Sequence, residues 1–121
     1  MKRQVQELKK LGEIASVQLE GALSALAGIS RAEGKLSGEI SELDAALRAA
    51  LTQKQETLDA VNLSASKSQV EWLNWRNQHK RCLNERLAIV RARKEEALRS
   101  ASQAFGRVHA LESIRERVDK K

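Results

Sequence analysis

An all-α fold, a long antiparallel two-helix coiled-coil hairpin, is what this 121-residue sequence predicts, and three observations predict it. Alanine, glutamate, lysine, leucine and arginine supply 68 of the residues, above the roughly 50% that marks long helices and coiled coils. Proline is absent, so no position forbids helix. Apolar residues recur at alternating steps of three and four over two extended runs. The composition also excludes. With no tyrosine, one phenylalanine and two tryptophans, the chain lacks the aromatic and β-branched content of a β-sandwich or mixed α/β fold. Alanine with leucine builds a thin core, which disfavours a catalytic pocket.

The first helix is expected over about residues 2–61. Its seam reads Val5, Leu8, Gly12, Ala15, Leu19, Ala22, Leu26, Ile29, Glu33, Leu36, Ile40, Leu43, Leu47 and Ala50. Twelve of these fourteen are apolar, a coiled-coil pattern sustained over seven heptads. Beyond Ala50 the pattern continues one position later, at Leu51, Leu58, Val61 and Ala65, which reads as a local slip of register. Five glycines, Gly12, Gly21, Gly28, Gly34 and Gly38, fall in this helix, each costing about 1 kcal/mol against alanine. They are either tolerated weakness, or the mark of a flexible N-terminal half or of close approach by a partner helix.

A turn is expected at about 62–67, where Asn62, Ser64, Ser66 and Ser68 crowd together, since serine and asparagine compete for backbone hydrogen bonds. Ser68 followed by Glu71 has capping-box spacing and starts the second helix, about 68–119. One unbroken helix is the competing reading, because neither glycine nor proline marks the turn. The second seam runs Leu73, Arg76, Lys80, Leu83, Leu87, Val90, Lys94, Ala97, Ala101, Ala104, Val108, Leu111, Arg115 and Val118. Its four exceptions are long cations, whose methylene stems can lie along a seam while the charge reaches water. Helices of these lengths measure about 90 and 80 Å at 1.5 Å per residue. A hairpin with one seam per helix is marginal unless something binds it.

The formal net charge of +6 is unevenly spread. Residues 1–60 hold eight Lys/Arg against nine Asp/Glu, whereas residues 61–121 hold fourteen against seven. Arg76, Lys80, Arg81, Arg86, Arg91, Arg93, Lys94 and Arg99 form the densest part. Such a stripe fits an acidic partner, or it is a solvated helix face. Acid-before-base pairs at i,i+4, such as Asp44–Arg48 and Glu95–Arg99, favour the second reading in part. Nucleic acid is disfavoured as a partner, because basic-region binders need dimerised helices and stacking modules need several aromatics.

Trp72, Trp75 and His79 share one helix face, with Arg76 beside them. They either close the hairpin tip against Leu58, Val61 and Leu63 or form a docking patch, since tryptophan and arginine dominate interface hot spots. His79 and Cys82, at i,i+3, are two ligands where zinc wants three or four. No nucleotide-binding loop or nucleophile–base order stands out, so no catalytic residue, cofactor or metal is expected. A lone Cys82 makes no internal disulfide and fits a reducing, cytoplasmic setting. No apolar run approaches the roughly 18 residues of a membrane span, and no cleaved signal peptide is expected at the N-terminus.

Two stretches add a resemblance. One is Ala104-Phe105-Gly106-Arg107-Val108-His109-Ala110-Leu111-Glu112-Ser113-Ile114-Arg115-Glu116-Arg117. The other is Trp72-Leu73-Asn74-Trp75-Arg76 after a Leu/Ala-rich first helix. With the length and the basic second helix, the chain resembles the FliJ/YscO family of flagellar and type III secretion proteins. The resemblance implies an antiparallel helical hairpin like the central stalk of rotary ATP synthases, bound to a hexameric export ATPase. It implies that the helix termini enter the ATPase channel, with Phe105, Arg107 and Arg115 as contacts there. It also implies that the distal half, with Trp72, Trp75, Arg76 and His79, meets the export gate protein at the inner face of the bacterial membrane, and that the protein recycles export chaperones. The chain is short for the family, and its glycines soften the first helix.

Overall fold

A computed structural model describes residues 2–56 and 63–120. Two helices account for almost all of them, α1 (Lys2–Glu56) and α2 (Leu63–Asp119), packed against each other as an all-α hairpin. The contacts divide the chain into two compact units, Met1–Arg31 with Ala92–Lys121, and Ala32–Arg91.

Within the first unit, Leu8 and Gly12 line a groove with Val108 and Leu111. Earlier residues of α1, Gln4 and Leu8, lie beside later residues of α2, Ile114 and Val118. The helices therefore run antiparallel. Its core is made of the smallest apolar side chain: Ala15, Ala101 and Ala104 are its buried hydrophobic residues. Within the second unit, Leu47 and Ala50 lie beside Leu73, and Leu43 meets Arg76, again antiparallel. Here the core is Leu83 and Leu87, joined by a buried Arg76.

The seams stand as the spacing predicts. All fourteen expected positions of α1, from Val5 to Ala50, are buried or half-buried. Thirteen of the fourteen in α2 are as well, and Arg115 alone is exposed. A two-helix pair hides one stripe of each helix, so the 3–4 period is enough to find it.

Three expectations need correction. Leu51 is 54% exposed while Ala50 stays half-buried, so the heptad phase holds through Ala50 without the one-residue slip. The rest of that proposed slip, at Leu58, Val61 and the side chain of Ala65, lies outside the described residues. The turn at 62–67 also shifts: α2 begins at Leu63, so residues 63–67 are helical, and Ser68 and Glu71 sit inside the helix and do not cap it. Serine and asparagine cost only fractions of a kcal/mol per helical position, and without proline or glycine nothing stops the helix earlier. Residues 57–62, where the expected end of the first helix falls, lie outside the described residues. Finally, the cations in the second seam do not all send their charge to water, as the next section shows.

Candidate partner-binding surfaces

The residues expected at the distal half all belong to the second unit, and the structure treats them differently. Arg76 is 5% exposed, and its guanidinium is taken up inside the protein. Its Nε donates to the Leu43 carbonyl oxygen at 3.2 Å, one terminal nitrogen donates to Asn77 Oδ1 at 3.1 Å, and the other to Asp44 Oδ1 at 2.6 Å. Lys80 donates to the same Asp44 oxygen at 2.8 Å. Arg76 is therefore not offered to a partner as the sequence suggested. It is a seam residue satisfied across the helix pair.

That cluster favours the observed pairing of the helices. A buried ion pair is a weak source of net stability, because desolvation offsets its Coulombic gain. Sliding α2 along α1 by a heptad, however, separates the buried guanidinium from Asp44 and leaves it unpaired, which is strongly unfavourable. Asp44 is the residue the sequence reading missed. The spacing alone could not have found it, because opposing the two seams in order from the turn sets Leu47, not Leu43, beside Arg76.

The Asp44 carboxyl is held below its ordinary value of 3.8 chiefly by the Lys80 hydrogen bond, with the charges of Lys80, Arg76 and Arg48 adding and partial burial opposing. A carboxyl whose folded pKa lies below its unfolded one stabilises the fold fully above the unfolded value. That stability is lost as pH falls through the folded value. Comparing melting temperatures of the parent and Asp44→Asn from about pH 6 down to about pH 2 is expected to show the parent more stable at the upper end. The gap should close from about pH 4 downward. The side chain of Asp44 is 38% exposed, so the gap is small and shrinks in salt.

The two tryptophans part company. Trp72 is half-buried and lines a cleft of about 60 Å³ with Leu47, Ala50, Leu51 and Leu73. Trp75 is 54% exposed and stacks on His79, with ring centroids 5.1 Å apart and planes 19° from parallel. One indole thus packs inward and the other is presented outward with an imidazole. Leu58 and Val61, expected to receive them, lie outside the described residues, as does the side chain of Leu63. From Trp75 the exposed face of α2 continues through Cys82, Arg86 and Ile89, the last also 54% exposed.

The residues expected at the ends belong to the first unit, and the structure does not bring them together. Phe105 is 62% exposed and stacks on His109, centroids 6.3 Å apart. Arg107 lines a groove with Leu11, Ile14 and Ala110. Arg115 lines a different groove, with Leu8, Gly12 and Val108. All three are accessible, on separate surfaces of the unit.

Among the described residues no group of three or more His, Cys, Asp or Glu side chains is placed to hold a metal, and Cys82 is an exposed free thiol. No described helix is long and apolar enough to cross a membrane. The chain matches no family model, no curated protein and no solved structure.

Proposed function

We propose that this chain is a non-enzymatic stalk or coupling component of a flagellar or type III protein export ATPase complex. In this reading the first unit, which carries the start of α1 and the end of α2, engages the ATPase hexamer. The second unit engages the export gate protein, and export chaperones are further partners. Such a protein works in the cytoplasm, at the inner face of the bacterial membrane, and needs neither cofactor nor nucleic acid.

The observation that carries the proposal is the first unit itself. Both helices contribute to it, its core is built of alanine, and aromatic, cationic and aliphatic side chains are exposed around it: Phe105, Arg115 in one groove, and Arg107 with Leu11 and Ile14 in another. An object gripped from several directions by a ring of subunits needs contacts on more than one side. A thinly packed helix pair also gains stability by mass action when held by a partner. The resemblance of the Trp72–Arg76 and Ala104–Arg117 stretches to the FliJ/YscO family supplies the identity of the ring.

Purified chain added to the cognate export ATPase is expected to promote hexamer assembly and raise turnover, and Phe105→Ala and Arg107→Ala should weaken both effects. No change in assembly or turnover sinks the stalk reading. A generic coiled-coil adaptor is the second reading, favoured by the exposed Trp75–His79–Ile89 face of the second unit. It predicts partner capture through that face with no effect on ATPase turnover.

A further inference from the structure

The two units hide different side chains. In the second unit the buried ones are Leu83, Leu87 and Arg76, and Arg76 and Lys80 are bonded across the helix pair to Asp44. In the first unit they are Ala15, Ala101 and Ala104. Each unit adds a row of half-buried seam residues, so the fully buried ones make the difference. A buried alanine withdraws one methyl group from water and a buried leucine four carbon atoms, and hydrophobic stabilisation follows the apolar area withdrawn. Large apolar side chains of the first unit lie elsewhere. Leu11, Ile14, Val17 and Leu23 on α1, with Leu98 and Phe105 on α2, are between 48% and 66% exposed. These residues lose little when the two helix segments separate.

The backbone acts in the same direction. Gly12, Gly21, Gly28 and Gly106 are helical residues of the first unit, against Gly34 and Gly38 in the second. Glycine gains more freedom than alanine when a helix melts. Connectivity adds a third effect. The second unit is one continuous stretch, whereas the two segments of the first are separated by residues 32–91 and close a longer loop.

We infer that the first unit opens as an independent step, its segments of α1 and α2 separating and losing helix while the second unit stays paired. Core size, glycine placement and connectivity are separate features, and all three lower the cost of opening in the same unit. Cooperative opening of one part of a fold is the form that such a difference in stability takes. It is also a switch, because a partner that touches both segments holds them closed by mass action. In the function proposed above that partner is the ATPase ring, but the opening belongs to the chain alone and is tested without any partner.

Hydrogen exchange of the full chain alone, read by mass spectrometry in zero to about 2 M urea, tests it. Peptides from 8–29 and 94–115 are expected to be about tenfold or more less protected than peptides from 36–52 and 72–90. They should share one protection level and depend less steeply on urea, because opening one unit exposes less surface than unfolding the chain. Leu83→Val, a mild truncation in the second unit, should speed exchange of second-unit peptides by about threefold or more. It should leave first-unit peptides unchanged, since the opened form keeps the second unit folded. Equal protection and equal urea dependence in the two units overturn the proposal. So does protection that rises smoothly inward from the helix ends, which is fraying, and so does a Leu83→Val variant that speeds both sets of peptides alike.

Discussion

Replacing Gly12, Gly21, Gly28, Gly34 and Gly38 together by alanine is expected to raise the melting temperature by about 10–20 °C. Each of the five lies inside α1, none has a positive φ, and a Cβ built on any of them finds no neighbour within 4 Å. The backbone is already in the conformation alanine prefers, and the methyl group meets open space. The gain is therefore the helix-propensity difference, about 0.5–1 kcal/mol per site, arising largely from the freedom glycine retains in the unfolded chain. Five sites give about 2.5–5 kcal/mol if they act independently, and a domain of this size shifts by about 4 °C per kcal/mol. Gly34 and Gly38 are one turn apart and can couple, whereas the others are far enough from each other to add. Circular dichroism melts at a few micromolar measure the effect. Gly12, Gly21 and Gly28 belong to the first unit and Gly34 and Gly38 to the second, so the triple and double variants separate the two contributions. An unchanged or lowered melting temperature in the five-site variant would contradict the open surroundings on which the expectation rests.

That result bears on why α1 is glycine-rich. The sequence allows tolerated weakness, a flexible N-terminal half or close approach of a partner helix. Among the described residues a Cβ built at any of these positions meets nothing within 4 Å, so none of the five glycines is needed for close packing within the fold. If the alanine variants are more stable yet fail to assemble with the ATPase, the glycines serve contacts outside the chain.

The seams were legible because burial in a helix pair depends on one angle per residue. A side chain is hidden if it lies on the stripe facing the other helix, and the 3–4 period fixes that stripe without knowledge of the partner. What the period cannot supply is which residue of α2 stands opposite which residue of α1. Arg76 reads as a long cation lying along a seam with its charge in water, and only the antiparallel pairing beside Leu43 gives it Asp44 and buries it. The start of α2 was misplaced for a different reason. Serine and asparagine preferences are fractions of a kcal/mol, and propagation of a helix already formed outweighs them. Trp72 and Trp75 show the limit of face assignment. Three residues rotate the side chain by about 60° around the axis, which suffices to place one indole beside Leu73 and the other in solvent. Of the candidate contacts, Trp75, His79, Phe105, Arg107 and Arg115 are all on the surface, while Trp72 is half-hidden and Arg76 is inside.

Leu83→Ala is expected to be among the most damaging single truncations, lowering stability by about 3 kcal/mol and the melting temperature by about 12 °C. Leu83 is 1% exposed, and no other side chain of its size is as fully buried among the described residues. Truncation removes three carbon atoms from contact and leaves a cavity that two rigid helices cannot close, which is why Leu-to-Ala changes in cores cost about 2–5 kcal/mol. The lower half of that range applies here, because a layer two helices thick lets water and neighbouring side chains move in from the sides. Leu98→Ala is the control. Leu98 is on the same helix but 48% exposed, and alanine is the better helix former, so the two terms offset to within about 0.5 kcal/mol. Urea melts of the pair, fitted with a common slope, separate core packing from helix propensity. Equal losses at the two positions would mean that the exposed leucine is covered by something, and the hairpin would then be part of a larger bundle. A large loss at Leu83 alone places the strength of the second unit in its buried leucines, Leu83 and Leu87.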